Sequence, residues 1–382
     1  MDLIEHQHPP GIPEPAALRA VLTSELPGPV LRGALGADSG YGSDLHARLA
    51  GELGLSGLTI PPEFGGLGGS QVEACLIHAE LGRALYPGPF LPSSVAAGAL
   101  LATCHLASCE QWLPLLAKGS VAGTVAAADE AGHWAPGAGS VRADYGTGGW
   151  RLSGRRWYVV AAHAAAVIVV PAVTESGLAM FLAETGSAGL ALSRQLDLDL
   201  TRRISIVTFD AAPAVLLCKD PAAGAALDRA EREFLIATAA EAAGGIGWCL
   251  DANLARVREQ DPVERSVGSF EAVAQSSVDM LADLEKVSAA AQYAAAATDV
   301  GAADAAKAAR LAALQAGEAY RRVTEAVMSF TEEHDAQLYY RRAWSAERLS
   351  GGPQSHRDAL AARLRGASVR LLKSRTPPHS GP

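Results

Sequence analysis

Cysteine is scarce in this sequence, and what there is does not pair. The 382 residues hold five cysteines, Cys75, Cys104, Cys109, Cys218 and Cys249. An odd number at wide spacing, with no C-x-x-C pair and no flanking histidine array, excludes a disulfide framework and a zinc cluster; the pattern reads as buried thiols of a cytoplasmic protein. Surplus positive charge is also missing. A formal net charge of -9 excludes a general nucleic-acid binder and a polybasic membrane binder, both of which need excess Lys and Arg. No uninterrupted apolar run reaches membrane-spanning length, and the N-terminus MDLIEHQHPPGIPEP has neither the basic nor the apolar region of a signal peptide. His6 and His8 there read as an exposed tail, not a metal site. A dinucleotide fingerprint is absent too: Gly244-Gly245-Ile246-Gly247 lies inside a helical pattern with no strand before it, so close helix packing explains it.

What is present is a hydrophobic content of 49%, ample for the cores of two or three domains. The most legible stretch runs from Ile60 to Phe90. Pro61 and Pro62 fix φ, while Gly65, Gly66, Gly68 and Gly69 permit unusual backbone angles, so residues 60–69 should form an irregular, ordered loop. Ser70 with Glu73 three residues later is a capping box. Ala74, Ile77, Leu81 and Leu85 then recur at helical spacing until Pro87 and Pro89 stop the helix.

Along the chain the character changes twice. Helical segments extend to about Lys118, including 94–106 and 110–117. From Gly119 strand signals dominate: the small-residue stretch 121–127, the turn and strand from Gly148, the buried run Val167-Ile168-Val169-Val170, and the alternation about Ile204 and Ile206. From Ala222 long helical periodicities return at about 224–258, 266–298 and 303–328, with a shorter one after Ala336. Leu281, Leu284, Val287 and Tyr293 are expected on a packed face. The expected organisation is an α+β chain: an all-α domain over 1–118, a β-barrel-like domain over 119–222, a four-helix bundle over 223–374, and a disordered tail over 375–382.

Particular runs carry a family resemblance. Pro62-Glu63-Phe64-Gly65-Gly66-Leu67-Gly68 and Glu80-Leu81-Gly82-Arg83-Ala84-Leu85 resemble the P-E-E-Y-G-G-L-G loop and E-L-G-R-A-L helix end of the acyl-CoA dehydrogenase family. Leu152-Ser153-Gly154-Arg155-Arg156-Trp157-Tyr158-Val159 is similar to the family's strand beside the flavin. Asp199-Leu200-Thr201-Arg202 resembles the D-x-T-R turn of its actinobacterial branch, and the run from Phe330 to Tyr339 resembles that branch's F-T-W-E-H-D-x-H-L-Y signature. The resemblance covers nearly the whole chain.

It implies α,β-desaturation of an acyl-CoA or carrier-bound acyl thioester, with a carboxylate base taking the α-proton and FAD as cofactor. Several expected parts are altered. Where many relatives carry the base glutamate the alignment places Ser350, which cannot act as a base unaided. Other relatives carry it on the first long helix of the bundle, where the count lands on Phe234, leaving Glu233 and Glu241 as candidates. The structural alternative is a solvated helix-face residue for Glu233 and a helix-packing partner for Glu241. The two phosphate-gripping motifs, R-x-Q-F-G and Q-x-x-G-G in the family, read Gln260-Asp261-Pro262-Val263-Glu264 and Thr324-Glu325-Ala326-Val327-Met328-Ser329 here. Acid and side-chain bulk replace cation and glycine. On the ring side the resemblance implies Asp129 and Glu130 near the flavin, Tyr158 against it, and Val160 where many relatives have a hydroxyl; Arg202 would meet an anionic group or form a structural ion pair.

Three readings follow. The chain is a flavin-linked desaturase working as one subunit of a mixed α2β2 assembly whose partner completes the FAD site; or a non-catalytic scaffold subunit of it; or the same fold put to redox-neutral dehydration or cyclisation. FAD is expected to be held weakly, to depend on a homologous partner subunit, or to be absent. Association through the C-terminal helices is expected in each case.

Overall fold

A computed structural model describes residues 11–134, 141–195, 199–259, 267–328, 334–349 and 351–362 of the chain. The altered motif at 260–264, the run 330–333, Ser350 and the tail from Arg375 lie outside the described residues. The chain begins with α1 (Pro15–Glu25), α2 (Gly28–Gly36) and the short α3 (Ser43–Ala47). The next three helices are α4 (Gln71–Arg83), α5 (Phe90–Thr103) and α6 (Leu106–Ala117). The capping box is present at α4: Ser70 Oγ accepts from the Glu73 amide at 3.2 Å, and Glu73 Oε2 accepts from the Ser70 amide at 2.7 Å. Helix α5 starts four residues before the expected Ser94, because Phe90 and Leu91 already pack into the core.

Seven strands follow, namely β1 (Ala122–Val125), β2 (Arg142–Gly146), β3 (Gly149–Val160), β4 (Ala165–Thr174), β5 (Gly177–Glu184), β6 (Leu190–Arg194) and β7 (Ile204–Lys219). The sheet runs β1-β4-β2-β3-β7-β5, with β6 added to β7. It closes on itself because β4 pairs with β5 on one edge and with β1 and β2 on the other, which makes the middle region barrel-like. Inside it Ala126, Leu152, Ile168, Val170, Phe181 and Val207 form one apolar core.

Helices α7 (Ala222–Glu259), α8 (Val267–Asp299), α9 (Ala305–Met328) and α10 (His334–Leu349) form the C-terminal bundle. At 38 residues, α7 spans ~57 Å and packs against α4, α5, α8 and α9. Small residues make that possible. A Cβ on Gly82 of α4 would overlap the backbone of Glu241, and one on Gly244 would overlap the carbonyl of Ala79. The Gly-Gly-Ile-Gly run is therefore a helix-crossing surface. A second cluster, including Leu91, Val95, Val160, Leu227 and Phe234, joins the helices to the barrel.

Two expectations need correction. Leu281 and Tyr293 of α8 are exposed while Val287 is buried, so the packed face of α8 is rotated from the expected one. Cys104 is exposed at the left-handed C-cap of α5, whereas Cys75, Cys109 and Cys249 are buried.

The crossing of α4 and α7 generates a stability prediction. Gly82→Ala or Gly244→Ala should cost about 1–3 kcal/mol or more by overpacking. Gly317→Ala, in α9 with nothing within 4 Å of an added Cβ, should instead stabilise by about 0.5–1 kcal/mol. Thermal melts of the three variants check this; a neutral Gly244→Ala would contradict the close crossing.

Candidate functional site

Two adjacent residues of α7 point in different directions because successive helical residues are turned by ~100°. Phe234 lies against Trp134, ring centroids 4.9 Å apart, and so faces the loop that follows β1. Glu233 faces α4 and α5. Arg229, one turn earlier, donates through Nε to Glu233 Oε1 at 2.7 Å, and Gln71 Nε2 of α4 approaches the same oxygen at 3.4 Å. Oε2 lies against Gly98 of α5, where any Cβ would overlap it. Glu233 is 6% exposed. Burial pushes its pKa above the ordinary 4.5 although Arg229 and Arg232 pull it down. Beside it is a narrow slot whose polar lining is Thr59, Gln71, His78, Ser94 and Glu233, with Ile236 and Ala237 on the α7 side.

Two turns on, Glu241 is the centre of a buried ionic cluster. Its Oε2 accepts from Arg202 Nη2 and, at 3.1 Å, from Arg342 Nη1 of α10. Arg342 also donates to Thr201 Oγ1 at 2.7 Å and to the Thr201 carbonyl at 3.1 Å, and its Nε is 3.4 Å from Asp199 Oδ2. Asp199 Oδ1 accepts from the Thr201 amide at 2.9 Å. His78 Nδ1 lies 4.0 Å from Glu241 Oε1. Burial opposes ionisation of Glu241, yet Arg202 and Arg342 together hold its pKa below the ordinary 4.5. His78 is driven down by its own burial and is neutral. Arg202 is thus engaged as a structural ion pair, the second of the two possibilities open for it.

The other expected site residues surround the end of β3. Tyr158 is half-buried with φ of 53°. Val160 is buried, and its carbonyl accepts from Thr124 Oγ1 at 2.8 Å. Asp129 Oδ1 accepts from the amides of Ala131 and His133, both at 2.9 Å, which makes it a turn former; Glu130 is exposed. This loop touches the end of α10, where a Cβ on Gly132 would be 2.7 Å from the Arg348 carbonyl. Ser350, next along the chain, lies outside the described residues. Sequence reasoning missed His78, Gln71, Trp134 and Arg342, whose partners are remote in sequence and leave no local pattern.

The FAD fit can be tested at the end of α9. Helix continues unbroken to Met328. Thr324 and Val327 are buried, and Thr324 Oγ1 donates back to the Tyr320 carbonyl at 2.9 Å. Glu325 pairs with Arg321 at 3.6 Å. Backbone amides inside a helix are already used, and no glycine opens the surface, so these residues do not fit a pyrophosphate. Among the described residues there is no group of three or more metal-ligating side chains, and no helix is long and apolar enough to cross a membrane.

Comparison with known proteins places the chain. The family description "Acyl-CoA dehydrogenase, N-terminal domain" matches residues 18–120, and "Acyl-CoA dehydrogenase, C-terminal domain" matches 233–365. Acyl-CoA dehydrogenase IpdE2 of Mycolicibacterium smegmatis is 28% identical over 92% of this chain and 93% of its own. Acyl-CoA dehydrogenase FadE34 of Mycobacterium tuberculosis is 30% identical over 81% of this chain and 40% of its own. Among solved structures, a Tcur3481-Tcur3483 steroid ACAD variant superposes with a TM-score of 0.83 at 26% identity, over 93% of this chain and 97% of that one. The ChsE4-ChsE5 complex from Mycobacterium tuberculosis gives 0.80 at 23% identity, over 92% and 97%.

The opposite pKa directions of the two glutamates generate a prediction. Glu241 has a depressed folded pKa, so its contribution is complete above 4.5 and lost as pH falls through the depressed value. Glu233 has a raised one, so its ionisation opposes folding from 4.5 upward. Glu241→Gln should therefore cost about 3–5 kcal/mol near neutral pH, with the loss shrinking in acid. Glu233→Gln should flatten the pH dependence in the opposite sense. Urea unfolding at several pH values checks both; a Glu241→Gln deficit that grows in acid would contradict the assignment.

Proposed function

The chain belongs to the acyl-CoA dehydrogenase family, and on that premise we propose that it is one subunit of a heteromeric, flavin-linked enzyme that introduces an α,β double bond into an acyl thioester. The observation that carries this reading is the end of α9, where buried Thr324 and Val327 stand in an unbroken helix in place of the glutamine and first glycine of the phosphate-gripping motif. A homo-oligomer built only from this chain would then lack a grip on the ADP half of FAD. A homologous partner with intact motifs supplies it. The ChsE4-ChsE5 complex from Mycobacterium tuberculosis and the Tcur3481-Tcur3483 steroid ACAD, whose fold this chain shares, support the reading. Val278 and Leu281 leave an exposed apolar strip on α8, a surface suited to such an association.

Within this chain Glu233 is the carboxylate we assign to the α-proton. Burial raises its proton affinity, Oε1 is held in place by Arg229 and Gln71, and Oε2 lies against Gly98 of α5. Glu241 is excluded from that role by its two arginines, which keep it a weak base. Tyr158 and the Asp129–Glu130 turn would offer the surface against which a flavin ring could lie. A second reading, the scaffold subunit, is favoured by one feature: Trp134 on Phe234 spans the space between the β1 loop and α7.

Purified alone, the chain should hold no tightly bound FAD, and titrated FAD should bind at least about a hundredfold more weakly than in a co-purified heteromer, since two or more charge-assisted phosphate contacts are missing. In that heteromer Glu233→Gln should lower acyl-CoA desaturation about 10²- to 10⁴-fold. Full activity of the variant would favour the scaffold reading, and a yellow homo-oligomer would overturn the heteromer.

A further inference from the structure

Helix α4 begins with amides that have no carbonyl partner within the helix, those of Ser70, Gln71, Val72 and Glu73. The capping box satisfies the first and the last: Glu73 Oε2 takes the Ser70 amide and Ser70 Oγ the Glu73 amide. The middle two go to a residue 228 positions from Gln71 in the chain. Asp299, the last residue of α8, accepts from the Gln71 amide through Oδ1 at 2.8 Å and from the Val72 amide through Oδ2 at 3.1 Å. A negative charge at this end of α4 also suits the helix dipole. The capping box ties the turn to its own helix, whereas Asp299 ties it to the bundle, the body that carries Glu233. From this same turn Gln71 Nε2 approaches Glu233 Oε1 at 3.4 Å, beside the 2.7 Å bond from Arg229.

Resting on the assignment of Glu233 as the base, we infer that Asp299 is a positioning residue for the desaturation: by fastening the first turn of α4 to the end of α8 it holds Gln71 against the Glu233 carboxylate and fixes where that carboxylate points. It acts through Gln71. Its charge has a second, separable effect. Asp299 adds to the burial that raises the proton affinity of Glu233, and Arg229 and Arg232 of α7 oppose it. From α4, His78 is neutral because it is buried, and α5 has no titratable side chain. Among the described residues Asp299 is thus the charge from outside α7 that acts on Glu233. At 3.4 Å the Gln71 contact guides the carboxylate more than it stabilises its charge, so removing the Asp299 carboxylate lowers the Glu233 pKa. A base works ionised, and its rate falls as pH drops through its pKa, so that acid limb moves to lower pH.

Two measurements test this. Amide hydrogen exchange of the full chain asks whether the clamp exists, with no substrate present: Asp299→Asn should speed exchange over residues 71–74 about tenfold, and unchanged exchange overturns the clamp. Desaturation by the co-purified heteromer asks whether the clamp serves the base, using whichever of butanoyl-, octanoyl- and hexadecanoyl-CoA the native heteromer turns over fastest. There Asp299→Asn should lower kcat about tenfold, leave KM within about twofold, and shift the acid limb to lower pH. Asp299→Glu, which keeps the charge, should restore most of kcat and leave the limb in place. In a Gln71→Leu background Asp299→Asn should remove no more than about a further twofold, because the two residues act as one unit. Fully additive losses, or an unmoved limb, make Asp299 a cap alone and overturn the role while the base assignment stands. Full activity of Glu233→Gln, or no turnover of any of the three thioesters, removes the base assignment instead, and the role of Asp299 with it.

Discussion

The rest of the molecule depends on a buried ionic knot, in which Glu241 of α7 is held between Arg202 and Arg342, with Asp199 and Thr201 completing the second arginine's partners. It joins the segment before β7, the long helix α7 and helix α10. Buried charges hold together only as a set, because removing one member leaves the others desolvated and uncompensated. The knot therefore fixes the rotation of α7 about its own axis as well as its position. That rotation decides which α7 side chain meets which neighbour: Glu233 goes to α4 and α5, and Phe234 to the loop after β1.

A fixed α7 also explains why glycine recurs along its crossing with α4. The two backbones approach so closely at Gly82 and Gly244 that no side chain fits. The same economy appears at Gly98, which is glycine because the Glu233 carboxylate occupies its Cβ position. Packing at these points is thus directed at holding one carboxylate in a dry place with a controlled partner, the arrangement by which proteins raise a carboxylate's proton affinity.

The fold was legible where its causes are local. The Ser70–Glu73 capping box and the shift from helical to strand patterns near Gly119 each act within a few residues and appear where expected, whereas α4 ends at Arg83, before Leu85, whose φ is 49°, and before the prolines. The Gly244 run was legible as packing because it lacked a preceding strand. What escaped was non-local. Arg342 meets Glu241 across 101 positions, and Trp134 meets Phe234 across a whole domain. The D-x-T-R turn was readable as a choice between an anion site and an ion pair, and only the third dimension supplies the carboxylate. The rotation of α8 escaped for another reason: alanine-rich helices offer several faces of similar hydrophobicity, so periodicity fixes the helix without fixing its facing.

The central claim is that this chain completes its function with a different, homologous chain. Native mass spectrometry of the protein captured through a tag on this chain, from the cells that make it, tests that most directly. The account predicts an assembly with equal numbers of this chain and one homologous partner, carrying FAD that leaves when the partner is removed. An assembly containing only this chain, with one FAD retained per subunit, would contradict it.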